Sequence, residues 1–201
     1  MTFPSDVRDA VPDELTGPRT IVEVTTTHLE MRAPPAGALA PAPAGVQVVR
    51  AVQPTVRFYR YLYDAVGEPW AWYDRRRMAP AELAAILDDS RVEVHVLWKA
   101  GVPAGYAELD RRIAGQVELA YFGLLPEAIG QRLGPWLLGW AIREAWRPDD
   151  VTRVWVHTCT LDHPSALRMY IAAGFVPYGE DRHRQTVVVS SPVSVARTRR
   201  A

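Results

Sequence analysis

The chain has 201 residues, 48% of them hydrophobic, which is enough for one core, and 23 lysines and arginines balance 23 aspartates and glutamates. That balance leaves no overall basic field of the kind sequence-independent nucleic-acid binding needs, so no nucleic-acid partner is expected. A single cysteine, Cys159, and five scattered histidines exclude a disulfide framework and a multi-cysteine zinc site; no metal is expected, and a reducing cytoplasm is the expected compartment.

The opening MTFPSDVRDAVPDELTG is acidic and punctuated by proline, without a basic start followed by an apolar run, and residues 1 to 18 read as a loose leader. No later run is long enough to span a bilayer, so no membrane partner is expected. TIVEVTTTHLEM, Thr20 to Met31, is rich in β-branched residues and predicts a strand. PPAGALAPAPAG, Pro34 to Gly45, has the composition of an extended linker, so residues 1–45 are expected to form an arm ahead of a domain over 46–189. A strand on such an arm is suited to adding to another chain's sheet edge, which predicts a homodimer.

From Val46 the order predicted is a short strand to Arg50, a helix over Val56 to Val66, and another over Pro80 to Leu87. RVEVHVLW then alternates, placing Val92, Val94, Val96 and Trp98 on one face. VPAGYAELDRR and QVELAYFGLL follow after Gly101 and Gly115, which makes three strands in meander order. A helix from Pro135 to about Trp146 has Leu137, Leu138, Ala141, Ile142 and Ala145 as its apolar stripe. VTRVWVHT reads as a strand, Pro164 to Ala173 as a short helix capped by Gly174, and TVVV near Thr186 as a last strand. The tail over 190–201 is expected to be disordered.

EAIGQRLGPWLL places a glycine-spaced turn directly before a helix. A helix start carries unpaired N–H groups and the positive end of the dipole, and glycines let an anion approach the main chain. The same spacing also suits a chain that simply bends.

Two segments decide between these readings by their resemblance to a family. IGQRLG resembles the Gln/Arg-x-x-Gly-x-Gly/Ala pyrophosphate loop of the GNAT superfamily of N-acetyltransferases, and HPSALRMYIAAGF resembles that family's N-x-x-A-x-x-x-Y-x-x-x-G-F segment. The resemblance runs over roughly Val46 to Val189. It implies an α/β (α+β) fold with a mixed, mostly antiparallel sheet flanked by helices, to which this chain adds an N-terminal strand arm. It also implies acetyl-CoA as cosubstrate and a primary amine of a small molecule or peptide as acceptor. Ile129, Gly130, Gln131, Arg132, Leu133, Gly134 and Pro135 become the pyrophosphate turn, and backbone N–H groups at Leu124 and Leu125 are expected to meet the pantetheine arm. The chain departs from the pattern at Ile129, where the family prefers glutamine or arginine, and at Arg132, where it prefers glycine. His163 stands in place of the usual asparagine, where a ring nitrogen can replace one hydrogen bond.

Acetyl transfer requires an amine to lose a proton and a thiolate to gain one. Glu118 is eleven residues before Ile129, a spacing similar to that of the glutamate base in some family members. On an otherwise apolar strand its pKa is expected to rise toward neutrality; the position equally suits an outward-facing carboxylate, and Glu108 on the preceding strand is the substitute. Tyr170, four residues before Gly174, stands where the family places the tyrosine that protonates the departing thiolate. Cys159 and His157 are assigned no catalytic part. FYRYLYDAVGEPWAWYDRRR, with seven aromatic residues, falls where this fold forms its acceptor wall, and Tyr61, Asp64, Trp70 and Trp72 are the expected acceptor contacts. A catalytically degenerate acyl-CoA-binding module with a sensing or scaffolding role is the alternative: it needs the turn but neither Glu118 nor Tyr170.

Overall fold

The computed structural model of the protein describes residues 15–188. The expected tail over 190–201, and all but the end of the expected leader, lie outside them. The elements are β1 (Arg19–Met31), β2 (Val46–Ala51), α1 (Val56–Gly67), α2 (Asp74–Arg77), α3 (Pro80–Leu87), β3 (Val92–Lys99), β4 (Val102–Asp110), β5 (Gln116–Leu124), α4 (Leu133–Ala145), β6 (Arg153–Cys159), α5 (Ala166–Ala172) and β7 (Val176–Val188). The strands form one sheet in the order β2-β3-β4-β5-β6-β1-β7. Every neighbouring pair is antiparallel except β5 and β6. This is the mixed, mostly antiparallel sheet flanked by helices that the resemblance implied.

Helices cover the sheet unevenly. Tyr59, Leu62, Tyr63 and Val66 of α1 and Leu83 and Leu87 of α3 pack on Val94, Val96 and Tyr106. Leu133 and Leu137 of α4 pack with Leu97 on the other face, and α4 continues onto Leu109, Val117, Leu119, Val154 and Val156, where Tyr170 of α5 joins it. β3 is therefore buried on both faces, with Leu97 as fully buried as Val96, which a simple alternation does not convey. Thr55 caps α1 by accepting the Phe58 N–H at 3.2 Å. Pro135 is the third residue of α4 rather than the first, still inside the turn whose N–H groups have no intrahelical partner.

The N-terminal strand departs from expectation. β1 lies inside the sheet, paired with β6 from Thr26↔Cys159 to Met31↔Val154 and with β7 from Arg19↔Val188 to Glu30↔Val176. From Thr26 to Met31 both its edges are paired within the chain, whereas Arg19 to Val24 pair with β7 alone. Alternate residues explain this: Leu29 and Met31 complete the core under α4 and α5, while Val22 and Val24 pack with Tyr73, Val187 and Val188 on the opposite face. The Ala/Pro segment is a strap rather than an extended linker. It crosses α4, where Trp136 Nε1 donates to the Ala40 carbonyl at 3.0 Å and Arg143 Nη2 to the Gly37 carbonyl at 3.1 Å. β7 extends back to Val176, well before the expected TVVV.

A chain starting at Val46 is expected to show no cooperative thermal transition by circular dichroism, because β6 and β7 then lose their common neighbour. Leu29→Ala in the full chain should cost about 2–5 kcal/mol in a urea melt, the range for truncating a fully buried leucine.

Candidate active site

The site begins where two strands part. β5 and β6 pair only over Gln116↔Arg153, Val117↔Val154 and Glu118↔Trp155. Against β4, Leu109 faces Leu119 and Glu108 faces Tyr121, which leaves Ala120 as an extra residue. Such a bulge bends and twists its strand, and here it turns β5 away from β6 immediately after Glu118. From Ala120 to Leu124 the outer edge of β5 has no strand beside it, and alternate backbone groups there face a cleft of about 1820 Å³.

At one end the cleft meets the turn before α4. Gly130 (φ 82°) and Arg132 (φ 60°) are both left-handed, and nothing lies within 4 Å of where a Gly130 side chain would begin. No side chain caps α4, so its first N–H groups are open to an anion. Ile129, Gly130, Arg132, Gly134 and Pro135 line the cleft, joined by Arg143 and Arg168. Three expected contacts turn away from it. The Leu125 N–H donates to the Ala104 carbonyl at 3.0 Å, so it is not open to a ligand. Gln131 donates to the Glu127 carbonyl at 2.6 Å and accepts from Lys99, and the Leu133 side chain is core. Leu124 lines the cleft.

Tyr170 faces the gap from α5. Its ring packs against Phe122 and Phe175 at centroid distances of 6.3 and 5.9 Å, and burial holds its phenol well above the ordinary tyrosine pKa, so it stays protonated at neutral pH. His163 lines the cleft too, but its Nδ1 accepts the Ser165 N–H at 3.1 Å ahead of α5, which leaves Nε2 as the nitrogen available to a ligand.

The two candidate carboxylates have opposite environments. Glu108 is 0% exposed, beneath α1, where Arg75 Nη2 donates to Oε1 at 2.6 Å and the Tyr59 hydroxyl donates to Oε2. Burial pushes this carboxyl up while the Arg75 guanidinium pulls it back, and the guanidinium itself stays charged. Both Glu108 oxygens are taken, so it is no substitute base. Glu118 lines the cleft at the parting of the strands, 22% exposed, with His157 Nδ1 3.5 Å from Oε1. Its neighbour is thus ionisable rather than apolar as expected, and Glu118 holds the His157 imidazole above the ordinary histidine pKa.

Two of the four expected acceptor contacts reach the cleft. Trp70 and Trp72 line the cleft. Trp72 packs on Tyr63 and Tyr121 at 5.5 and 5.3 Å and lies so close to Gly67 that a Cβ there would come within 2.5 Å of it. Tyr61 is 49% exposed and outside the cleft, and Asp64 pairs with Arg76 at 3.1 Å, also outside it. On α1 the cleft-facing positions are Tyr63 and Val66, one turn apart, which puts Tyr61 on the far side. Sequence reading missed Asp162. Its Oδ1 accepts the Trp72 indole N–H at 3.1 Å, and its Oδ2 accepts from the Thr158 hydroxyl at 2.7 Å and the Cys159 N–H at 2.9 Å, tying the wall to the end of β6. Glu93, His95 and Glu144 lie close enough to share an ion, but Arg50 and Arg111 already neutralise Glu93 at 3.1 and 3.3 Å, and none of the three lines the cleft.

The sheet thus splits between its parallel strands, with the uncapped start of α4 on one side of the split and a buried phenol across it. The chain belongs to the acetyltransferase (GNAT) family, which its residues 55–175 match. It is similar in fold to a GCN5-related N-acetyltransferase from Kribbella flavida, at 19% identity and a TM-score of 0.55 over 88% of this chain and 62% of that one. A second such enzyme, from Sphaerobacter thermophilus, is 16% identical with a TM-score of 0.58 over 89% of this chain and 56% of that one. The spermidine N-acetyltransferase of Vibrio cholerae is 16% identical with a TM-score of 0.52 over 72% of this chain and 94% of that one. The chain thus spans about three fifths of the length of the first two. No curated protein matches it in sequence. Among the described residues no helix is long and apolar enough to cross a membrane.

Arg75→Met should cost about 3–5 kcal/mol at neutral pH, since it strands a buried carboxylate. The folded-state pKa of Glu108 then lies above its unfolded value, so the gap to wild type should shrink as pH falls toward the ordinary glutamate range, which urea melts across pH will read. Glu118→Gln should lower the His157 pKa toward its ordinary value, as followed by NMR of the imidazole ring.

Proposed function

We propose that the protein transfers an acetyl group from acetyl-CoA to a primary amine of a small molecule or peptide by direct attack. The observation that carries this reading is that Glu118, Tyr170 and the turn before α4 all line one cleft at the parting of β5 and β6. Acetyl-CoA supplies the thioester and the thiol leaving group. The open N–H groups of the turn, with Arg132, Arg143 and Arg168 around them, suit its phosphates, and Arg132 offers a guanidinium in place of the family's glycine. The edge of β5 offers backbone groups to the pantetheine amides and to the carbonyl oxygen as it becomes negative.

Glu118 takes the proton of the attacking amine, directly or through one water. Tyr170, whose proton burial keeps on, gives a hydrogen bond and then the proton to the departing sulfur. Trp70 and Trp72, with Asp74, Asp162 and Glu118 beside them, present aromatic faces and carboxylates that suit a cationic amine.

Calorimetric titration with acetyl-CoA, followed by thiol release over a panel of amines, tests the proposal. Tyr170→Phe and Glu118→Gln should each lower kcat roughly 10²-fold with little change in acetyl-CoA affinity. Arg132→Glu should weaken binding instead. Tight binding with no turnover of any amine would favour the acyl-CoA-binding module.

A further inference from the structure

Transfer to a protonated amine has a stoichiometric demand that Glu118 and Tyr170 do not meet together. The nitrogen–carbon bond forms, the carbon–sulfur bond breaks, and the nitrogen of an ammonium sheds two protons. One ends on the coenzyme sulfur and the other must reach solvent. The cleft face of the sheet carries four ionisable groups in a row that ends at the surface. By alternation with Val117, Leu119, Val154, Val156 and Leu29, which pack beneath α4 and α5, Glu118, His157 and His28 all point to the opposite face.

Glu118 on β5 lies 3.5 Å from His157 Nδ1 on β6. His157 stands directly across the β6–β1 pair from His28, with ring centroids 6.1 Å apart, too far for a direct hydrogen bond between ring centres and within the reach of one bridging water. His28 Nε2 lies 2.7 Å from Asp181 Oδ2 on β7, and the Asp181 side chain is 66% exposed. With His157 Nδ1 toward Glu118 and His28 Nε2 toward Asp181, His157 Nε2 and His28 Nδ1 are the remaining ring nitrogens. We infer that Glu118, His157, His28 and Asp181 form a proton relay from the acceptor amine to solvent, and that the N-terminal strand completes the active site by supplying His28.

Each member takes one proton and gives one. Glu118 accepts from the amine and passes a proton to His157 Nδ1, while His157 Nε2 gives its own through water to His28 Nδ1. His28 Nε2 hands a proton to Asp181, which exchanges with bulk water. The chain keeps its net charge over one transfer, each imidazole ends as its other tautomer until exchange with solvent resets it, and no redox partner is needed. The relay rests on the acetyltransferase reading, and it makes His157 and His28 positioning and relay residues rather than groups that touch substrate. The other groups facing the rings are Tyr178 of β7, whose ring centroid is 5.9 Å from His28, and Asp74 and Asp162, whose charges help hold His157 above its ordinary pKa. Arg153, held by Glu30 at 2.6 Å, stacks on Trp155 and Tyr178 beside them.

His28→Gln separates relay from scaffold, because a glutamine amide can keep the bond to Asp181 but cannot pass a proton through. Steady-state thiol release with the best amine of the panel should show kcat down about tenfold at neutral pH, with KM for acetyl-CoA unchanged and the loss reversed by added imidazole. The wild-type rate should rise with pH as His157 becomes neutral, and that limb should move in the variant. Asp181→Asn, at an exposed position, should give a smaller imidazole-sensitive loss and guards against a folding defect in the first variant. An unchanged kcat and pH profile in His28→Gln, or a loss that imidazole leaves in place, overturns the relay while leaving the transferase reading intact. A wild type that binds acetyl-CoA but turns over no amine removes the transferase reading, and the relay with it.

Discussion

β5 and β6 are held together by three residue pairs, and what surrounds them is arranged about the place where that pairing stops. A parallel pair that continued would bury the edge of β5 in a ladder and close the cleft. The extra residue at Ala120 bends β5 toward β4 and leaves its last residues with backbone groups on one side unpaired. The α4 turn, Tyr170 and the loop carrying Asp162 all line the resulting opening. The bulge also changes which residues face which side, so Tyr121 comes to sit beneath α1, opposite Glu108, rather than beneath α4.

A sheet that parts at its middle depends on helices and a shared core to hold its two sides together. The β2–β5 half is covered on both faces by α1, α3 and α4. The β6-β1-β7 half has α4 and α5 on one face only, and its cohesion comes from β1, which pairs along most of β7 and packs Leu29 into the common core. The strap over α4 ties the end of β1 to the start of β2 across the sheet. This arrangement brings into the site a strand that lies outside the family-matched segment, and with it His28.

Glu108 and Glu118 show how placement divides the labour of one residue type. Glu108 is sealed under α1 with a guanidinium and a phenol on its two oxygens, an arrangement in which breaking the pair is costly and proton exchange with a ligand is blocked. Glu118 stands at the parting of the strands with an oxygen toward a histidine and open space beyond. Only the second faces the cleft.

Several elements could be read from periodicity alone. α1, α3 and the β3–β5 meander carry their boundaries in local spacing, because one face of each is set by alternating or 3.6-residue apolar positions. That the turn before α4 and Tyr170 belong together was legible because a helix start and a motif are short-range features, and both line the cleft. Tyr61 and Asp64 were misplaced for the same reason: spacing along α1 says which residues share a face but not which face meets the cleft. The destination of β1 had no local signal either, since a β-branched strand pairs equally well with any free edge, and only the vacancy between β6 and β7 and the core beneath α4 select its place. The sequence by itself thus determined most of the elements and the family, whereas the tertiary structure decided which carboxylate faces the cleft, through contacts thirty to fifty positions apart, and which strand lies between β6 and β7, through pairings more than a hundred positions apart.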